Sequence, residues 1–103
     1  MKEDAIVKQS YDLIRKDLGL KEEWSFEGVD NSFDRLQNFL EDQIGYLLDY
    51  DFNKLLNALY RIDIPESEVK SLLNGAGNLP QALARAVIIR EKEKVLTRLK
   101  YRS

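Results

Sequence analysis

The stretch Asp49-Tyr50-Asp51-Phe52-Asn53 carries oxygen-bearing side chains at alternate positions, the spacing that opens a calcium-binding loop. A working loop also needs Gly at its sixth position, where the chain turns sharply, and a bidentate Glu at its twelfth. Lys54 and Tyr60 stand at those positions. A cation at the turn and a phenol at the closing ligand defeat the site, so Asp49 and Asp51 read as helix caps. Gly75-Ala76-Gly77 precedes a helix and could offer free backbone N–H groups to an anion. It lacks the preceding strand and the Gly-Lys-Ser/Thr ending of a P-loop, and the third Gly of a dinucleotide fingerprint. A plain interhelical turn is expected. The carboxylate pairs Glu22-Glu23, Glu41-Asp42 and Glu66 with Glu68 lie on polar faces or in loops, where solvent screens them from the divergent pKa values that acid–base work requires. The chain has no His and no Cys. That removes the commonest general base, the commonest metal ligand, thiolate chemistry and the Glu-x-x-His motif of helical di-metal centres. No catalytic residue, no metal and no cofactor is expected, and the chain reads as non-enzymatic.

Recognition chemistry is better represented. Trp24 and Phe26 sit in an irregular segment among Glu22, Glu23 and Glu27. They either plug one end of the fold or form an exposed anchor for a partner, Trp being a favoured interface hot spot. Near the C-terminus Ile88, Lys92, Val95 and Leu99 recur at steps of 4, 3 and 4, a short coiled-coil-like seam. Through Lys92, Val95 and Leu99 that stripe could pair with a second copy of the chain, giving a homodimer, or it could belong to an ordinary core with Lys92 snorkelling at its edge. Arg85, Arg90, Lys92, Lys94, Arg98, Lys100 and Arg102 could meet phosphates. They point in several directions around the helix, however, with Glu91 and Glu93 among them. With a pI of about 5.2, nucleic acid is the less favoured partner.

Five helices would position these groups. Residues 3–18 place Val7, Tyr11, Ile14 and Leu18 on one face, and Gly19 suits a left-handed C-terminal cap. Residues 20–31 form an irregular connection. A second helix starts near Ser32 and carries a wide apolar stripe from Phe33 to Leu48, with Gly45 inside it marking a close crossing or a kink. A third runs from Phe52 to about Arg61. A fourth covers about 65–73, opened by Pro65 with Asp63 and Glu66 as capping candidates. A fifth, long helix runs from Pro80 to about Lys100, and its second half, narrower in apolar content, could project beyond the body. The expected core is Val7, Tyr11, Ile14, Leu18, Phe33, Leu36, Leu40, Ile44, Leu47, Leu55, Leu56, Leu59, Leu72, Leu83, Val87 and Ile88. The expected fold is all-α, one domain over residues 1–103, a compact bundle of about five helices ending in a long one.

With 103 residues, 44% hydrophobic and 33% charged, the composition is that of a single globular domain. The net charge of −2 hides a segregation. Residues 1–84 hold 9 Lys/Arg against 16 Asp/Glu, a net of −7, and residues 85–103 hold 7 against 2, a net of +5. The basic helix can be served by the macrodipole, by acidic neighbours in its own fold, or by an outside partner. Residues 22–68 hold 12 Asp/Glu against 3 Lys/Arg, a net of −9, and could present an acidic face to a basic partner as a regulator or inhibitor would. The longest apolar run, Ala86-Val87-Ile88-Ile89, is far short of a membrane span, and no signal-peptide core is evident in residues 1–20. A cytoplasmic location without membrane contact is the expectation.

Leu59-Tyr60-Arg61-Ile62-Asp63-Ile64-Pro65-Glu66, followed by Ile88-Ile89-Arg90-Glu91-Lys92-Glu93-Lys94 and Arg98, resembles small uncharacterised bacterial all-helical proteins of unknown function. The resemblance covers roughly the C-terminal half. It implies a bacterial cytosolic setting and assigns no residue a role. The sequence thus points to a non-catalytic protein-interaction module or homo-oligomeric structural protein, whose partner is an unknown protein or a second copy.

Overall fold

The computed structural model describes residues 3–20, 32–75 and 77–102. It contains α1 (Glu3–Leu18), α2 (Phe33–Tyr50), α3 (Phe52–Ile62), α4 (Glu66–Asn74) and α5 (Leu79–Arg102), and no strand among the described residues. The all-α bundle with a long last helix is as the periodicity requires. The five helices pack into a body of 38 × 31 × 23 Å, with α5 lying against α1 and α2 as its main partners.

Local chemistry sets each helix end. Gly19 takes φ +60°, and Leu20 N–H donates back to Arg15 C=O at 3.1 Å, the longer of the two Schellman hydrogen bonds. Asp63 takes the same left-handed conformation at φ 73°, closing α3 with Ile64 N–H on Leu59 C=O and its own N–H on Tyr60 C=O. Asp51 serves two helices at once. Its N–H donates to Leu47 C=O at the end of α2, and its carboxylate accepts Lys54 N–H at the start of α3. The capping reading of Asp51 therefore holds, whereas Asp49 lies in the last turn of α2. The expected cap of α4 is corrected: Pro65 takes the N-cap position with no side-chain hydrogen bond, and the Asp63 carboxylate instead accepts from Arg90 at 3.2 Å. Helix α5 opens one residue before Pro80, capped by the Asn78 side chain, which accepts Gln81 N–H.

The core draws on every helix, from Val7 and Ile14 through Leu36, Ile44, Leu55 and Leu59 to Leu83 and Val87. Tyr11 meets Phe39 edge to face at 5.9 Å. Three expected core members, Phe33, Leu56 and Leu72, are half-buried at its margin. Ala58, Ile62, Ile64, Val69 and Ala84 are buried in addition. Helix α2 crosses α5 closely, and a Cβ at Gly45 would meet the Pro80 ring at 3.9 Å.

Candidate functional site

Among the described residues, a carboxyl buried between α1 and α5 and an aromatic surface where α2 turns into α3 depart from ordinary packing.

Glu91 is completely enclosed, with 0% of its surface exposed, and neither carboxyl oxygen is in hydrogen-bond geometry with a partner. Lys94 Nζ stands 3.5 Å from Oε1 and 3.9 Å from Asp17 of α1, which is itself mostly buried. Burial raises the Glu91 pKa from 4.5 to about 8, chiefly by desolvation and then through the neighbouring Asp17 carboxyl, which favours the protonated form. The Asp17 charge adds to the rise and the Lys94 ammonium opposes it. At neutral pH Glu91 therefore favours its neutral, protonated form. A carboxyl poised this way can serve as an acid or base only where substrate reaches it. Asp17 borders a polar groove, but Glu91 lines neither of the two described clefts. The cations of that groove are committed elsewhere: Arg61 donates to Asp17 C=O at 2.8 Å and Lys54 to Gly19 C=O at 3.3 Å, both serving the C-terminal carbonyls of α1. The Asp17–Glu91–Lys94 cluster is thus a joint between two helices. Ser10, also on α1, is buried, and its hydroxyl has no hydrogen-bond partner among the described residues.

The aromatic surface arises from the Asp51 elbow. Because α2 ends and α3 begins on one residue, Tyr50 and Phe52 flank the bend and are exposed. Tyr46 lies one helical turn before Tyr50 and packs on it, ring centroids 4.9 Å apart at 40°. Their exposures are 62% and 75%, high for aromatic side chains. Together with Gly19, Leu20, Gln43, Leu47, Asp51 and Lys54 they line a cleft of about 440 Å³. Asp42 and Asp49 share the outer side of α2 with the tyrosines, and both are exposed.

The residues singled out from sequence fare differently. Trp24 and Phe26 lie outside the described residues. Of the seam offered to a partner, Val95 is fully buried and Ile88 nearly so, Lys92 Nζ sits 4.6 Å above the Phe33 ring, and Leu99 is half-buried. That stripe is used inside the chain, and α5 is seated at least as far as Val95. Two of its cations meet acidic neighbours, Arg90 pairing with Asp63 at 3.2 Å and Lys94 with Asp17 and Glu91. Glu91 was hidden in the alternation Arg90-Glu91-Lys92-Glu93-Lys94, which reads as solvated. Its signal was Val87 and Val95 four residues to either side, which place it on the apolar stripe. The signal for Tyr46 and Tyr50 was an aromatic pair at i and i+4 lying off the stripe of α2.

The chain matches no known protein family, no curated protein and no solved structure in comparisons with each. No described helix is long and apolar enough to cross a membrane, and the described residues hold no group of three or more side chains suited to a metal ion.

Proposed function

We propose that this protein is a non-catalytic helical interaction module whose docking surface is the end of α2. The observation that carries the reading is the stacked Tyr46–Tyr50 pair left in solvent beside a cleft. Such rings bury large area at low entropic cost when covered, which is why Tyr is enriched at interface hot spots. The surface is built on a helix pinned at Asp51 by bonds to both sides, so it is presented rigidly. A bacterial, cytoplasmic setting belongs to the same proposal and rests on the sequence resemblance. The test is site-specific photo-crosslinking in cells, with a benzophenone side chain replacing Tyr50 and, as control, Lys8 on the exposed side of α1. A discrete adduct from position 50 and none from position 8 is the expected result. An adduct of twice the chain mass would identify the partner as a second copy. Equal yields from both positions, or no adduct at either, would overturn the reading.

A further inference from the structure

We infer that the partner docking on the end of α2 presents arginine side chains from a polypeptide segment, an inference that rests on the docking reading above. Asp42, Tyr46, Asp49 and Tyr50 follow one side of α2 and are all exposed. Neither Asp42 nor Asp49 takes part in an ion pair or hydrogen bond among the described residues. The last turn of α2 carries no basic residue. A helix C-terminus bears a partial negative charge and is normally complemented by Lys or Arg. Here Asp49 adds to that charge, with Asp51 just beyond. The surface therefore joins π faces to a net negative field, and both attract the same thing. A guanidinium stacks flat on a tyrosine ring and makes paired hydrogen bonds to a carboxylate, so arginine fits better than lysine.

The spacing narrows the partner further. Asp42 and Asp49 are two helical turns apart, roughly 10.5 Å along the axis. A segment in the polyproline II conformation rises roughly 9 Å in three residues and returns its side chains to the same face, so arginines at i and i+3 would reach both carboxylates with the tyrosines between them. A phosphate-bearing partner finds the wrong field. Lys54, which lines the cleft, donates to Gly19 C=O.

The experiment titrates the full chain with a twelve-residue Arg-Gly-Ser repeat, followed by amide and tyrosine ring shifts in NMR. Lys-for-Arg and Glu-for-Arg versions of the peptide are run beside it. The expected result is saturable binding with shifts centred on residues 42–52, affinity falling in the order Arg, Lys, Glu. Asp42→Asn with Asp49→Asn should weaken it at least about tenfold and flatten its salt dependence. The equally neutralising pair Asp34→Asn with Glu68→Gln should change it little. All four residues are exposed, so circular dichroism melting verifies that each variant stays folded. If the two pairs weaken binding equally, the attraction is only net charge and the inference falls. If the Glu peptide binds as well as the Arg peptide while Tyr46→Ser with Tyr50→Ser abolishes both, the arginine inference falls and the docking surface stands. If neither the tyrosine nor the aspartate variants alter binding, or no peptide binds, both fall.

Discussion

Removing the ionisable group at Glu91 is the sharpest perturbation available. Glu91→Gln keeps the side-chain volume and leaves an amide that can still donate to Asp17. The native protein holds the Glu91 proton to about pH 8, while in the unfolded chain it is lost near 4.5. The folded state therefore binds more protons throughout that interval, and stability must fall as pH rises through it. Below pH 4.5 the contribution is complete, and above pH 8 the loss is complete. Each pH unit inside the window costs up to about 1.4 kcal/mol, so the whole interval could remove roughly 5 kcal/mol. Water entering the joint, or the Lys94 ammonium closing on the carboxylate, would offset part of that. Even half is a large share of the ~5–15 kcal/mol that holds a domain of this size together. Urea unfolding of both proteins at intervals from pH 5 to 9 isolates the term, because the other carboxylates and lysines cancel in the difference. The wild type should lose a few kcal/mol relative to Glu91→Gln across this range. A difference that stays flat would refute the buried-acid reasoning. A difference of the opposite sign would mean that an ionised Glu91–Lys94 pair holds the joint.

Ser10→Ala removes a buried hydroxyl that has no partner and adds helix propensity, so chemical denaturation should find it neutral or stabilised by up to about 1 kcal/mol. Gly45→Ala should raise the midpoint of thermal unfolding by an amount corresponding to roughly 1 kcal/mol, since the new methyl would sit in ordinary contact with Pro80 at 3.9 Å. Leu59→Ala should cost about 2–5 kcal/mol, and Leu56→Ala clearly less, because Leu59 is fully enclosed and Leu56 half-buried. Equal losses in urea unfolding would mean that the orientation of α3 is wrong.

The helices were legible because their apolar residues recur at steps of 3 and 4 and their ends carry chemistry with few alternatives. Gly19 after Leu18 and Asp51 between two apolar runs each leave little choice of conformation. The capping of α4 misled because Asp63 has two plausible uses, and only the three-dimensional path of α3 decides between them. Leu56 misled because one helical face is broad enough to include a margin. Glu91 stayed hidden for an energetic reason. Composition makes Glu among the rarest of buried residues, and only a protonated form beside Asp17 and Lys94 makes its enclosure affordable. The tyrosine pair gave no such signal, because the 3- and 4-residue periodicity marks only the stripe that folds a helix, and Tyr46 and Tyr50 lie off it.

The charge segregation along the chain ties these features together. The basic end of the sequence lies on α5, and the fold brings two of its cations to acidic groups, Arg90 to Asp63 and Lys94 to Asp17. Two more cations, Lys54 and Arg61, are drawn to the carbonyls at the end of α1. These contacts lie on the sides of α3 and α5 that face α1 and the α3–α4 turn. None reaches the outer side of α2, where one Arg stands against four Asp/Glu over the whole helix. A lysine at position 49 would complement the helix dipole, contributing roughly 0.3–1 kcal/mol. The aspartate found there instead sacrifices that stabilisation and concentrates negative charge beside the exposed rings. The arginine-bearing partner proposed above would supply the cation that this end of α2 lacks.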